Sequence, residues 1–381
     1  MEPDMTEKLP EIHSPSTGRF RHEMRAIAIY CWHHTDISPA KLNQILNCPC
    51  ESAFQSLWDF FAPQYQLPMR AEAVHQGEML ESSYQQQAQS KIYCAGDAGY
   101  PDALYVLQSP PILCVRGQVD VLSKPQVALV GSRTVHPISE SMTHQIADHA
   151  IKRGFVITSG GALGIDAQAH RRAMAHAHPT VVVSAMGTQL SYPRENQDIF
   201  DYAGRYGAIV SQFPNRPVSH KPNFPQRNDI IAALSQATIV VQSRAKGGAL
   251  YTARAALKLH RPLFVAAMPG FDERTQGGLA LVQEGKAKLL CAPEDLDALQ
   301  RPTEPVQKLL LFSPPPHQPS EPTNQNTRTR ILSLLRTQKL TRELLRIHTD
   351  MPDDFDETLL DLELAGDVIY AGGNYTLSQV R

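Results

Sequence analysis

Four short stretches of the 381-residue chain gather side chains that can hold anions or flat rings. The first is Gly131-Ser132-Arg133, directly after the apolar run Val127-Ala128-Leu129-Val130. A glycine there lets the backbone turn sharply and lets an anion approach its N–H groups. Ser132 can donate or accept, and Arg133 offers a planar fork of donors suited to phosphate. The second is Ser159-Gly160-Gly161-Ala162-Leu163-Gly164-Ile165-Asp166, with His170 one helical turn further on. Small residues followed at once by a helix make a phosphate or nucleotide loop, with N–H groups and the helix dipole facing the anion. Equally, the glycines permit close strand–helix packing while Asp166 caps the helix, and residue types alone leave both readings open. The third, Tyr192-Pro193-Arg194-Glu195-Asn196, adds a cation in Arg194. The fourth, Lys221-Pro222-Asn223-Phe224-Pro225-Gln226-Arg227-Asn228, sets two cations, an aromatic ring and side-chain amides between stiffening prolines. Cations neutralise phosphates and an aromatic face stacks on an unpaired base, which suits tolerant single-strand binding. The competing reading is a solvated loop whose Phe224 tucks into the core.

Strand-like and helix-like patterns alternate over residues 91–300. Strands are expected at 127–130, 155–158, 180–184, 208–210, 238–241 and 262–266, and helices at 139–153, 165–177, 228–234 and 249–259. Short β-rich runs alternating with helical periodicity specify a parallel sheet covered on both faces, a Rossmann-like α/β domain. Its ligand sits beyond the carboxyl ends of the strands, where these loops gather. Residues 19–90 read as a small helical N-terminal module, with helices at 21–30, 39–46 and 52–61 and a polar helical stretch at 71–89. Residues 1–18 are polar and proline-bearing, a disordered tail by composition. A proline-rich linker runs over 301–327. Beyond it, residues 328–381 carry helical patterns at 329–336, 341–347 and 355–365. Strands at 367–370 and 375–377 then flank Gly372-Gly373-Asn374, so the expectation is a C-terminal winged-helix domain.

Bulk properties narrow the class. A formal net charge of −2 gives no global basic excess, so nucleic-acid binding needs a local patch. Six cysteines at uneven spacing lack a zinc-finger pattern, and Cys48-Pro49-Cys50 is too tight for a ligand pair. Free or structural thiols in a reducing cytoplasm, no metal and no cofactor are expected. No secretory signal and no apolar run long enough to span a membrane stands out.

Taken in order, these residues resemble the DprA/Smf family of bacterial DNA-processing proteins of natural transformation. The resemblance covers about 100–381. It rests on Tyr100-Pro101-x-x-Leu104, the Val127–Arg133 stretch, Ser159-Gly160 with Gly164-Ile165-Asp166 and Ala169-His170, Tyr192-Pro193 with Asn196, Phe224-Pro225-x-Arg227-Asn228, Leu234-Ser235, Thr252-Ala253 and Pro269-Gly270. The tail adds Leu362-Glu363-Leu364-Ala365-Gly366 and Gly373-x-Tyr375. The resemblance implies an extended Rossmann domain that binds single-stranded DNA in a basic pocket, forms a homodimer and helps load a RecA-like recombinase. On that model Arg133, Lys221, Phe224 and Arg227 line the DNA pocket, with Gly131, Ser132 and Asn228 beside them. Several positions depart from the family's pattern. Leu163 stands where the family usually has arginine, Asp229 follows Arg227-Asn228 where a second arginine is usual, and Gln212 and Gln242 stand where glutamates are usual. Gly247-Gly248-Ala249-Leu250 replaces a Ser-Gly-Ser-Leu loop, with Arg244 and Lys246 just before it as additional basic contacts. Two lost cations weaken a pocket whose affinity is largely electrostatic, so the chain reads as a divergent member.

Catalysis is not expected, because no metal spacing, P-loop lysine or nucleophile elbow is present. Ser159, Asp166 and His170 leave a nucleotide hydrolase open as a minor reading. In the winged helix, Asp356, Glu357, Asp361 and Glu363 put acid on the helix that would enter a major groove, the wrong sign for a phosphate backbone. That module is therefore expected to dock protein. Two functions follow: a single-stranded DNA-binding protein of DNA uptake and recombination, with a recombinase partner, or a regulatory antitoxin or sensor of a phage-defence module that restrains a partner toxin.

Overall fold

The computed structural model describes residues 15–35, 37–215, 223–268 and 272–299, and from there 324–337, 340, 345, 349, 359, 362, 368–371 and 374–377. The chain divides into two compact units, Met1–Leu309 and Leu310–Arg381.

The first unit opens with four helices, α1 (Pro15–His34), α2 (Pro39–Leu46), α3 (Glu51–Gln64) and α4 (Arg70–Gln87). Helix α1 begins at Pro15, inside the stretch expected to be a disordered tail, and residues 1–14 lie outside the described ones. Strands β1 (Ser90–Tyr93) and β2 (Leu113–Gly117) follow, then β3 (Gln126–Gly131), α5 (Pro137–Lys152), β4 (Val156–Ser159), α6 (Ile165–Ala175) and β5 (Thr180–Val183). The remainder is α7 (Gln197–Tyr206), β6 (Ala208–Ser211), α8 (Asn223–Leu234), β7 (Ala237–Gln242), α9 (Ala249–Lys258), β8 (Leu263–Ala266), α10 (Gln276–Gln283) and β9 (Lys288–Leu290).

These strands form one sheet in the order β1-β2-β6-β5-β4-β3-β7-β8-β9. Every pair from β6 to β9 is parallel, while β1 and β2 are antiparallel additions at one edge. Strand order reverses between β3 and β7, the switch point of a doubly wound sheet. Strand periodicity explains the two layers of helices. Val127 and Leu129 of β3 face one core with Ile146 and Ala150 of α5 and Ile165 and Ala169 of α6. Ala128 and Val130, pointing the other way, join Ile230 and Leu234 of α8 and Ala253 of α9. The sheet is thus the Rossmann-like parallel sheet the sequence led us to expect.

The N-terminal helices are not packed by themselves. Ile92 of β1 and Cys114 of β2 lie in one core with Ile27, Phe54 and Trp58, while Tyr93, Leu113 and Val115 from the same strands belong to the core beneath α8 and α9. Arg25 seals the junction: its guanidinium forks onto Glu81 of α4, reaches Asp97 at 3.1 Å and donates to the Ile92 carbonyl at 3.1 Å. Trp32 Nε1 donates to the Gln212 carbonyl at 2.7 Å. Ordinary helical spacing thus builds a layer that only the sheet edge completes.

In the second unit, α11 (Asn324–Thr337) shares a small apolar core with Leu340, Leu345, Leu359, Leu362, Val368 and Tyr375. Strands β10 (Val368–Ala371) and β11 (Asn374–Leu377) pair as the expected hairpin, with Tyr370 opposite Tyr375. Most of the stretches read as the second and third helices of a winged helix, and the linker at 301–327 down to residue 323, lie outside the described residues.

Candidate functional site

The carboxyl ends of β3, β4 and β5 open into a cavity lined by Arg133, Gly160, Ala162, Leu163, Tyr192, Pro193, Phe224 and Arg227. Three of the four stretches singled out above therefore meet there, and the C-terminal half of the fourth joins them. Its first cation, Lys221, falls outside the described residues.

The loop after β3 is held from several sides. The Ser132 carbonyl accepts from the Ile165 N–H at 3.1 Å, and Ser132 Oγ accepts from the Thr134 N–H at 3.2 Å. A methyl group on Gly131 would strike the Ile165 side chain. Gly164 adopts φ +83° with its Cα against the Ser132 carbonyl and the Arg133 backbone, where a side chain would be both strained and overlapping. Arg133 is left on the exposed side of this packed turn. A residue that the sequence marked only as a departure completes the support. Gln242, at the end of β7 and 2% exposed, donates from Nε2 to the Thr134 carbonyl at 3.0 Å, and its Oε1 accepts from the His136 N–H at 3.2 Å. An amide supplies both roles at once, and a carboxylate cannot donate. Gln242→Glu is accordingly expected to cost about 1–3 kcal/mol in urea unfolding, because it sets a buried charge against the Thr134 carbonyl oxygen. An unchanged midpoint would show that the amide is not the brace.

The glycine loop after β4 is occupied by its own chain. Asp166, 6% exposed in the first turn of α6, accepts from the Gly160 N–H at 3.1 Å and the Ala162 N–H at 3.4 Å. Burial pushes its carboxyl upward, while the Arg227 guanidinium and those N–H groups pull it down. Gly161 and Ala162 turn their carbonyls to Asn196 Nδ2 at 2.9 and 3.0 Å. Ser159 Oγ donates to the Leu129 carbonyl at 2.6 Å, tying β4 to β3. His170 is fully buried. Thr180 Oγ1 donates its proton to the Ile157 carbonyl at 2.8 Å, so it accepts from His170 Nδ1–H at 2.7 Å, and Nε2 is left as a buried acceptor. Burial, with the Arg227 charge, lowers this imidazole to about 3.

Arg227 is likewise 8% exposed. Its Nη1 donates to the Gly160 carbonyl at 2.6 Å and to the Val183 carbonyl, and Nε donates to Asn228 Oδ1 at 3.0 Å. Its guanidinium lies flat on Gly160, where any Cβ would collide with it. Asn228, also 8% exposed, gives its Oδ1 to that contact. Phe224 stands half-buried, its ring edge-on to the exposed Tyr192 with centroids 5.7 Å apart. Asp229, expected beside the ligand, is directed elsewhere. Two residues along a helix is more than half a turn, and its nearest influential charge is Lys258 on α9. Arg194 and Lys246 are exposed, and Arg244 pairs with Glu273 at 3.2 Å on the surface. Among the described residues no group of three or more His, Cys, Asp or Glu side chains is placed to hold a metal, and no helix is long and apolar enough to cross a membrane.

The fold is that of an extended Rossmann-type domain with a cavity over the carboxyl ends of β3 to β5. Residues 91–300 match the family model described as DNA recombination-mediator protein A, and the chain belongs to that family, DprA/Smf. It is 35% identical over 201 residues to DNA processing protein DprA of Bacillus subtilis strain 168, covering 52% of this chain and 67% of that one. It is 33% identical over 203 residues to DNA processing protein DprA of Streptococcus pneumoniae strain R6, covering 52% and 71%. Against Protein Smf of Escherichia coli K12, identity is 33% over 197 residues and only 52% of that protein is spanned. Among solved structures, DNA processing protein A of Helicobacter pylori, described for its unique single-stranded DNA binding mode, is 30% identical with a TM-score of 0.50 over 55% of this chain and 94% of that one. The Streptococcus pneumoniae protein shares the fold at 24% identity, with a TM-score of 0.58 over 74% and 98%.

Proposed function

We propose that this chain binds single-stranded DNA across the cavity above β3, β4 and β5 and acts through it in DNA recombination. The observation that carries the reading is the pairing of an exposed cation, Arg133, with the aromatic edge formed by Tyr192 and Phe224 around one cavity. Phosphates meet Arg133, with Lys221 and Arg194 as further cations, while unpaired bases lie against the rings. The Helicobacter pylori relative, whose described property is single-stranded DNA binding, supports the same ligand. Arg227 shapes the cavity from behind, its Nη1 committed to the Gly160 and Val183 carbonyls and its Nε to Asn228 Oδ1. Asp166 and the glycine loop do the same, and Leu163 supplies an apolar wall. A RecA-like recombinase and a second copy of the chain are the proposed partners, in the cytoplasm.

Arg133→Ala is the direct test. Titration of a fluorescent oligothymidine across salt should show weaker binding and a log–log salt slope shallower by about 0.7, one phosphate contact. Unchanged affinity and slope would remove Arg133 from the interface. Including duplex DNA and free nucleotides in the same titration separates this reading from a nucleotide-responsive regulator. Preference for a free nucleotide over oligothymidine would install that second reading.

A further inference from the structure

The two rings at the cavity stand on segments that a single side chain ties to the N-terminal helices. Tyr192 lies on the segment after β5, and Phe224 opens α8. Half-buried Asn215, beyond the end of β6, is where the ties meet. Its Oδ1 accepts from two consecutive N–H groups of the segment after β5, Thr188 at 2.7 Å and Gln189 at 3.3 Å. Its own N–H donates to Tyr84 Oη of α4 at 2.8 Å. Gly187, at φ +79°, lies so close over Asn215 that any side chain there would overlap it. Ser211 Oγ accepts from the Gly187 and Phe213 N–H groups at 3.2 and 3.1 Å. Ser90 Oγ donates to the Ala88 carbonyl at 2.9 Å, so at 2.8 Å it accepts from the Thr188 hydroxyl. Asn223, the residue before Phe224, donates from Nδ2 to the Ala185 carbonyl at 3.1 Å and so joins the two ring-bearing segments. A continuous path of bonds thus runs from Tyr84 through Asn215 to Thr188 and Gln189, a few residues short of Tyr192. The loop carrying Arg133 is fixed separately, by the Ile165 N–H and by Gln242.

We propose that Asn215 is a positioning residue of the single-stranded DNA site: it sets the Tyr192–Phe224 edge and draws that setting from α4 through Tyr84. The inference rests on the single-strand reading of the cavity. Without the Asn215 amide, the N–H of fully buried Thr188 loses its acceptor. The 187–189 segment must then shift to find another, and Tyr192 shifts with it. The phosphate contact at Arg133 is untouched. The N-terminal helices thereby act on base contact and not on charge neutralisation, although none of their residues lines the cavity.

The test titrates the whole chain with oligothymidine and with an abasic oligonucleotide of the same length, across salt. Both carry the same phosphates, so the ratio of affinities reads base contact and the salt slope reads charge. The wild type should favour oligothymidine about tenfold, within what one stacked base contributes. Asn215→Ala should bring that ratio close to one and keep its salt slope, and Arg133→Ala should do the reverse. Asn215→Asp, whose carboxylate still accepts from both N–H groups, should restore the ratio. Tyr84→Phe, which loses only the hydroxyl facing the Asn215 N–H, should lower the ratio about threefold, and it decides the question if Asn215→Ala does not fold. A wild type without preference for oligothymidine would remove base contact from the cavity, and the role of Asn215 with it. Where the wild type has that preference, its retention in Asn215→Ala, its absence in Asn215→Asp, or an unchanged ratio in Tyr84→Phe would each overturn the positioning role alone.

Discussion

Arg227→Met should unfold at markedly lower urea concentration than the wild type, with a loss of about 3 kcal/mol, yet keep the salt slope of its DNA binding. The side chain is 8% exposed and gives Nη1 to two main-chain carbonyls, Gly160 and Val183, at the ends of β4 and β5. Methionine fills much of the volume but donates nothing, so both carbonyls lose their partner in a dry setting, and each such loss costs about 1–3 kcal/mol. Buried Asp166 also loses the cation that favours its charged form. Arg227→Lys should recover only part of the loss, because one ammonium cannot reproduce a planar fork spread over Gly160, Val183 and Asn228. A cost below about 1 kcal/mol, or a slope reduced as strongly as in Arg133→Ala, would reassign Arg227 from the frame of the cavity to its surface.

The second large effect is on acid stability. His170 has its pKa lowered to about 3 in the folded chain, against an ordinary 6.5. Between those values the unfolded chain binds a proton that the folded chain refuses, so this contribution is complete above pH 6.5 and falls away as pH drops toward 3. From pH 6.5 to about pH 4.5 the wild type should lose about 2–3 kcal/mol through this residue. His170→Gln cannot titrate, and its unfolding free energy should change less over that window by that amount, whatever its absolute stability. His178, lowered by burial in the same direction, and Asp166, raised and so opposite in sign, act in both proteins and drop out of the difference. Asp148 and Asp198, held low by Arg172 and Arg171, lose their contributions only as pH falls below their ordinary 3.8. Parallel curves for the two proteins would mean that His170 is reached by water.

Strand positions were legible because buried parallel strands are short β-branched runs. Thr180–Val183 and Ala208–Ser211 are bounded within a residue of where their composition placed them. Helix α7 left too weak a trace: within Gln197–Tyr206 only Ile199, Phe200 and Ala203 are buried, amid charged neighbours. Helix α10 carries two buried glycines near its start, and β9 is three residues long with two of them exposed, so neither has a pattern to read. Strands β1 and β2 lie among prolines and turns, and their antiparallel pairing at the sheet edge depends on partners far away in sequence. In the site, chemical type was readable and direction was not. Arg133 and Arg227 look alike as residues in a cationic motif, and only the fold decides that one faces outward while the other turns to Gly160 and Val183. Likewise, nothing in Ser159–Asp166 as a string of letters says that the carboxylate folds back onto the N–H groups of its own loop.

That folded-back carboxylate has a consequence for how a strand is received. With Asp166 already seated on Gly160 and Ala162, the glycine-loop side of the rim is held by the chain's own carboxylate and needs no ligand to order it. Ordering that side belongs to the free energy of folding and subtracts nothing from binding. Conformational adjustment therefore falls on the nucleic acid, so limp, weakly stacked thymidine tracts should associate faster than adenine tracts, whose bases must first part from one another.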